Sequence, residues 1–430
     1  MSQGADLLIV NAAEVLTCAD FSRRPASGPD QGRVGIIPDG AVAIAGGRIL
    51  EVGQAAHLRK TYPLPGEQVI DAQGGVVLPG FVDAHTHMVF AGHRAGEWEA
   101  RMRGKPYLEI LREGGGILST VEATRAASFD LLLENSRRWA RRCLSLGTTT
   151  IEVKSGYGLD RDNELKQLEV AGALAEGAPP RIVATFLGAH VLPPEYADDR
   201  EGYLKLVEQI AEEVRRRELA ADFDVFCEEG AFTLAESERL LLAAKGLGFG
   251  LKLHAEQITS TGAAALGARL GARSIDHLEQ LDERGLNALA NAETIPIAVL
   301  LPAVNFHLGQ DAHAPARMLI NAGIPVALAT DFNPGSAFSP SIPMVIALAT
   351  RLLGMSVAEA IVATTINAAH ALGIGAETGS LEPGKRADLI ICDVPDHRWL
   401  GYGFGWNPVR VVIAGGNIVP AAALTAATPD

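Results

Sequence analysis

The stretch FVDAHTHMVFAG, residues 81–92, decides how the rest of the chain is read. It begins as an apolar run with no charge before Asp83, the pattern of a buried strand, and then sets His85 and His87 two residues apart. Side chains at i and i+2 of a strand share a face, so the two imidazoles can project together from the strand end. Packing alone is a poor reason to place them there. They suit either a metal ion or a hydrogen-bonded pair, and the ends of the other strands decide between the two.

From about residue 79 to 375, short apolar runs alternate with longer helical segments such as DNELKQLEVAGALAEG (162–177) and AESERLLLAAKGLG (235–248). That alternation predicts parallel βα units. Eight strands are expected, in GFVDAH, GTTTIEVKS, RIVATFLGA, DFDVFC, GFGLKLH, ARSIDH, IPIAVLL and IPVALATD. Eight units over this length predict an α/β chain built on a (β/α)8 TIM barrel. Residues 1–78 read instead as short strands and turns, with Gly46-Gly47 as a hairpin signal. The pattern returns in GSLEPGKRADLIICDVP and VRVVIAGGNIVP. The two ends, 1–78 and 376–430, are therefore expected to form one small β-sandwich domain beside a metal-dependent barrel of 79–375. The Pro-, Gly-, Ser- and Arg-rich insert of 19–40 reads as a mobile loop.

The expected strands stop at His85 and His87, Glu152 and Lys154, His190, Glu228 and Glu229, His254, His277, and Asp331. In such barrels the C-terminal strand ends carry the active site. Three histidines and one carboxylate, His85, His87, His254 and Asp331, come from the first, fifth and eighth strands and converge if the barrel closes. Imidazole and carboxylate ligands suit zinc or iron. Such a site keeps a position for a water whose pKa the metal lowers towards neutrality. His277, in SIDHLEQ, stands close by and suits water orientation or proton transfer. Its alternative is a core histidine bonded to Asp276.

Composition narrows the partners. The 430 residues carry a formal net charge of −14, which argues against nucleic acid and means that an anionic substrate needs a local cation. No apolar run reaches the roughly 18–20 residues of a membrane span, and the N-terminus lacks a basic start followed by a long apolar core. Cys18, Cys143, Cys227 and Cys392 lie far apart, which fits reduced thiols and a cytoplasmic location. GSLEPGK (379–385) has the spacing of a phosphate loop, but Arg386 stands where Ser or Thr is required, so it reads as a turn. Gly114, Gly115 and Gly116 read as a loop near the substrate. His93, His307, His313 and His370 read as structural or surface residues.

PGFVDAHTHMVFAG, HAEQ, SIDH, LATDFNPG and GSLEPGKRADLIICD together resemble the amidohydrolase superfamily. FAGHRAGEWEARMRGKPYLEILREGGGILSTVEATRAAS, GTTTIEVKSGYGL, FLGAHVLPPEY, LKLHAEQ and ATDFNPGS resemble, more narrowly, its imidazolonepropionase family. That resemblance implies hydrolysis of the cyclic amide of 4-imidazolone-5-propanoate to N-formimidoyl-L-glutamate, in histidine degradation. It implies His85, His87, His254 and Asp331 as ligands of one Zn2+ or Fe3+ ion per chain, and a homodimer. Arg94 matches the residue that holds the substrate's propionate, as a planar guanidinium can. Tyr157, His190, Asn333, Gly335 and Ser336 match substrate-contacting positions. Gln257 stands where some members carry glutamate, and glutamine contacts the ring but cannot take a proton. Asp331 with His277 is then expected to move the proton, with Glu256 as the fallback. Lys154 sits where binuclear relatives carry a bridging carbamylated lysine, but EVKSGYG matches the mononuclear pattern. Rival readings are another cyclic amidohydrolase or a nucleobase deaminase, which has no use for Arg94, an iron oxygenase, and a non-catalytic assembly protein.

Overall fold

The chain first builds the edge of a sheet, with β1 (Leu7–Leu16), β2 (Ile36–Ala45), β3 (Arg48–Gln54), β4 (Val69–Asp71) and β5 (Val76–Pro79). The computed structural model describes residues 4–105, 109, 114–177 and 179–420. Gly46 and Gly47, between β2 and β3, have φ of 54° and 76°, the left-handed region that a tight hairpin turn requires.

Eight parallel strands follow: β6 (Phe81–Asp83), β7 (Thr148–Lys154), β8 (Arg181–Ala189), β9 (Asp222–Cys227), β10 (Gly250–Ala255), β11 (Ser274–His277), β12 (Ile297–Leu300) and β13 (Val326–Leu328). Each pairs with the next in sequence order. These are the eight expected strands, and helices such as Phe129–Ser145, Arg161–Ala175 and Arg200–Arg216 connect them around the outside. Residues two apart share a face, so β7 turns Thr148, Thr150, Glu152 and Lys154 to one side and Thr149, Ile151 and Val153 to the other. All seven residues of β7 are buried. A strand this polar and this buried has an inward face that holds charge rather than oil.

The chain then returns to the first sheet through β14 (Leu389–Cys392), β15 (Val409–Ala414) and β16 (Asn417–Ile418). β14 pairs with β5, so both ends of the chain share one sheet, as expected. A bridge from Arg48 to Arg386 brings β3 back to the lead-in of β14, and the curled sheet encloses Ile9, Val15, Val42, Val77, Leu389 and Ile413. Lys385, from the apparent phosphate loop, is buried and donates to the Gly375 carbonyl and Ser380 Oγ, both at 2.6 Å. It is the anchor of a turn. Among the described residues no helix is long and apolar enough to cross a membrane.

The barrel closes by an unusual seam. β6 and β13 share no continuous ladder, and other groups join them. At the bottom, Gln31 Nε2 donates to the Val326 carbonyl at 2.8 Å while the Val326 N–H donates to Gln31 Oε1 at 3.1 Å. Asn367 Nδ2 donates to the same carbonyl at 2.9 Å. In the middle, Thr330 donates to Asp83 through its N–H and its hydroxyl. At the top, the Asp331 N–H donates to the His85 carbonyl and the His87 N–H to the Phe332 carbonyl, both at 3.0 Å.

The seam corrects the reading of 19–40 as a mobile loop. Phe21, Ala26 and Gln31 are fully buried, and Ala26 exchanges hydrogen bonds with the Asn367 side chain at 2.8 and 2.9 Å. The insert looked mobile because its composition is that of a loop. Its few apolar residues and one glutamine nevertheless supply what the last barrel strand lacks. Replacing Gln31 by leucine strips the Val326 N–H of its acceptor, while the Val326 carbonyl keeps Asn367. Gln31→Leu should lower stability by about 1–3 kcal/mol in urea unfolding, with cation affinity unchanged.

Candidate active site

Four ligand-type side chains meet at the top of the seam. His85 and His87 leave β6, His254 ends the inward face of β10, and Asp331 follows β13 with φ of 51°, the left-handed region. His87 Nε2 lies 3.3 Å from His85 Nε2 and 3.4 Å from His254 Nε2. Asp331 Oδ1 lies 3.3 Å from His87 Nε2 and 3.5 Å from His85 Nε2. All four residues are buried.

The protonation pattern follows from what stands behind the rings. His85 Nδ1 lies 2.6 Å from Asp276 Oδ2, and His254 Nδ1 lies 3.2 Å from Asp224 Oδ1. A carboxylate at Nδ1 keeps the proton there and leaves Nε2 a bare lone pair. Those lone pairs face one another and the Asp331 oxygen, which receives no hydrogen bond. Acceptors gathered without a donor fit a cation, and the three histidines form a metal-capable cluster. Burial alone would raise the Asp331 carboxyl, but His87, His277 and His254 hold it below its ordinary value.

The carboxylates behind the histidines belong to a buried ionic lattice. Lys154 Nζ lies 2.6 Å from Asp224, 2.9 Å from Glu152 and 3.5 Å from Asp276. Lys252 Nζ lies 2.5 Å from Glu152. All five side chains are fully buried. Burial disfavours the Lys154 ammonium, yet Asp224, Glu152 and Asp276 raise its pKa above the ordinary lysine value. A lysine held charged by three carboxylates is a structural cation, not a neutral amine waiting to be carbamylated. Glu152 and Lys154 thus lie beneath the site rather than on its rim.

On the rim, Tyr157 is buried with its ring centroid 5.9 Å from that of His87, and the Arg94 guanidinium stands beside it. His190 stacks on His87 at 5.1 Å, and its Nδ1 lies 3.0 Å from the Gly156 carbonyl. Burial and the neighbouring His87 and His254 push its pKa well below the usual imidazole value, so it is neutral. Arg94 crosses the loop after β13, where a Cβ at Gly335 would come within 1.9 Å of its guanidinium carbon. Only glycine permits that approach. Asn333 organises the same loop, accepting from the N–H groups of Gly335 and Ser336 at 2.8 Å and donating to Ser336 Oγ. Ser336 Oγ donates to Asp331 Oδ2 at 3.4 Å.

Arg94 lines a cavity of about 160 Å³ with His93, Trp98, His307, Pro334 and Phe338. His93 and His307, read from the sequence as structural or surface residues, therefore border the arginine. Gln257 is half-buried, three residues beyond His254. Glu256 accepts from the Ala264 N–H at the start of helix Ala263–Leu270, a capping position. His277 is buried with its ring centroid 5.3 Å from that of His254, and its partner is Glu279 at 3.5 Å rather than Asp276, which serves His85. Burial opposes its charge, but Glu279, Asp331 and Asp276 raise its pKa above the usual value. Residues 106–108 and 110–113 of the longest resembling motif lie outside the described residues. Asp224 and Asp276 were not singled out from the sequence as orienting carboxylates, Asp276 appearing only as a possible partner of His277, and Glu279 was not singled out at all. The first two had a detectable signal, since each is an acidic residue at an inward position of an otherwise apolar barrel strand.

Residues 76–419 match the amidohydrolase family, and residues 40–63 match an imidazolonepropionase-like composite domain of bacteria. The imidazolonepropionase of Geobacillus kaustophilus is 46% identical over 96% of this chain and 97% of its own length. That of Clostridium tetani is 43% identical over 96% and 98%. Among solved structures, a zinc-bound adenosine deaminase from Xanthomonas campestris superposes with a TM-score of 0.72 at 21% identity, covering 99% of this chain and 97% of its own. The guanine deaminase of E. coli gives 0.70 at 16% identity, covering 96% and 98%. At such identities the two structures speak for the fold alone.

The orienting carboxylates provide the test of the cation site. Asp224→Asn and Asp276→Asn should each weaken cation binding by about 10- to 100-fold in a chelator competition, with every ligand residue still present. Elemental analysis of the parent protein should return one ion per chain, since Lys154 is committed to its carboxylates.

Proposed function

The chain belongs to the imidazolonepropionase family of the amidohydrolases, and from that membership we infer that it hydrolyses 4-imidazolone-5-propanoate to N-formimidoyl-L-glutamate in histidine degradation. The observation that carries this reading is Arg94 beside Tyr157 at the edge of the four-donor cluster. In a chain of net charge −14, a guanidinium there is the local cation that a propionate tail requires. A nucleobase has no carboxylate to offer it.

We propose one zinc or iron ion per chain, held by His85, His87, His254 and Asp331. When bound, such an ion lowers the pKa of a water towards neutrality and polarises a carbonyl. The protein's own groups do the rest. Arg94 anchors the propionate, and Tyr157, His190 and Gln257 set the ring plane. Gly335 lets the arginine cross the loop, and Asn333 and Ser336 hold that loop beside Asp331. Water adds its oxygen to the ring carbonyl carbon, the bond from that carbon to the ring nitrogen breaks, and the nitrogen takes a proton. Asp331 and His277 carry that proton, because Gln257 cannot. Once it has taken that proton, His277 also faces the negative charge that develops on the carbonyl oxygen.

We place the enzyme in the cytoplasm, where its four buried free cysteines remain reduced. A homodimer is the proposed assembly. Exposed aromatic residues at Trp399, Tyr402, Phe404 and Trp406 offer a surface for it.

Arg94→Ala should lower kcat/KM for imidazolone propionate by about 10- to 100-fold, the loss of one charge-assisted contact, while bound metal stays constant. Unchanged kcat/KM would remove Arg94 from substrate recognition.

A further inference from the structure

Glu279 is a buried carboxylate paired with His277. Its side chain is 1% exposed, and neither oxygen has a hydrogen-bond partner among the described residues. His277 Nδ1, also without a hydrogen-bond partner among the described residues, lies 3.5 Å from Oε2. A carboxylate in that state is unfavourable, and folds retain such groups for a reason other than stability.

The backbone gives a second, independent sign. His277 and Leu278 have φ of 81° and 71°, two successive non-glycine residues in the left-handed region. Strain of this kind is costly and collects at functional sites. The strained turn at the end of β11 bends the chain so that the side chain two residues on comes beside the His277 ring.

The pairing also repeats a device already present in the mouth. His85 has Asp276 at Nδ1, and His254 has Asp224 at Nδ1. In both, the carboxylate holds the proton on Nδ1 and turns Nε2 to its task. His277 has Glu279 in the same place, and its ring stands 5.7 Å from that of His85, at the edge of the donor cluster.

We propose that Glu279 is the positioning residue for His277, holding the proton on Nδ1 so that Nε2 meets the water and the ring as a bare acceptor. As the oxygen–carbon bond forms, Nε2 takes the water's proton. As the carbon–nitrogen bond breaks, its electron pair stays on the ring nitrogen, which receives that proton, and His277 is restored. Glu279 remains ionised throughout. The assignment deepens the activity inferred above and rests on it.

Two experiments decide it. In metal-loaded protein with 15N-labelled histidine, with the His277 signals identified by their loss in His277→Asn, the expected spectrum has the proton on Nδ1 and a bare Nε2. The reverse tautomer overturns the proposal. This reading needs no turnover, so it stands or falls separately from the inferred activity, and it applies even if a Glu279 variant fails to fold. In kinetics, Glu279→Gln should lower kcat by at least ~10-fold, part of the roughly 10²–10⁴ that positioned acid–base groups contribute. KM should change by less than ~3-fold. In a His277→Asn background the same substitution should have no further effect. An unchanged kcat, or an equal loss in both backgrounds, overturns the proposal.

Discussion

Two lysines and three carboxylates, packed without water access inside the barrel, determine where the histidines stand. Lys154 and Lys252 hold Glu152, Asp224 and Asp276, and two of those carboxylates hold His254 and His85 by Nδ1. Buried ion pairs rarely add stability over apolar packing, since desolvation offsets most of the attraction. Their value here is direction. Each Nε2 is aimed because its Nδ1 is tied, and each tying carboxylate is placed by an ammonium that cannot leave. The lattice also has one more carboxylate than ammonium, and Asp331 adds another negative charge nearby. Such a mouth suits a cation.

The seam supplies the other half of the geometry. His85 and His87 follow the first barrel strand and Asp331 follows the last, and the two ends meet through the main-chain bonds Asp331–His85 and His87–Phe332. Closure of the barrel and assembly of the donor set are therefore one event. Gln31 and Asn367 sustain the same seam from below, in place of a ladder. An insert from the first sheet thus secures the lower end of the seam whose upper end carries the site.

Much of this was legible in the sequence, for reasons specific to each element. Parallel barrel strands are buried on both faces, so they read as short apolar runs, and all eight were recognised in their order. The donors were legible because they end such runs. The insert of 19–40 was misread because composition reports a loop's chemistry and not its contacts. Glu279 passed unnoticed because its importance lies in a backbone reversal at His277 and Leu278, which no spacing rule encodes. Lys154 was read from its motif as no metal ligand, and the structure surrounds its ammonium with three carboxylates. The resemblance of SGYGL and DFNPGS had marked Tyr157, Asn333 and Gly335 as substrate contacts. Their geometry is more varied, with Asn333 shaping a loop and Gly335 making room for Arg94.

The barrel is shared with deaminases that act on purines, so fold and histidines leave the substrate class open. The account assigns it through sequence kinship and through one guanidinium beside the metal-capable cluster. The most direct measurement is turnover by the metal-loaded protein of 4-imidazolone-5-propanoate beside adenosine and guanine under one set of conditions. The account predicts ring opening of the imidazolone alone, with N-formimidoyl-L-glutamate as product. Deamination of either purine compound at a comparable rate, or an intact imidazolone, would contradict it.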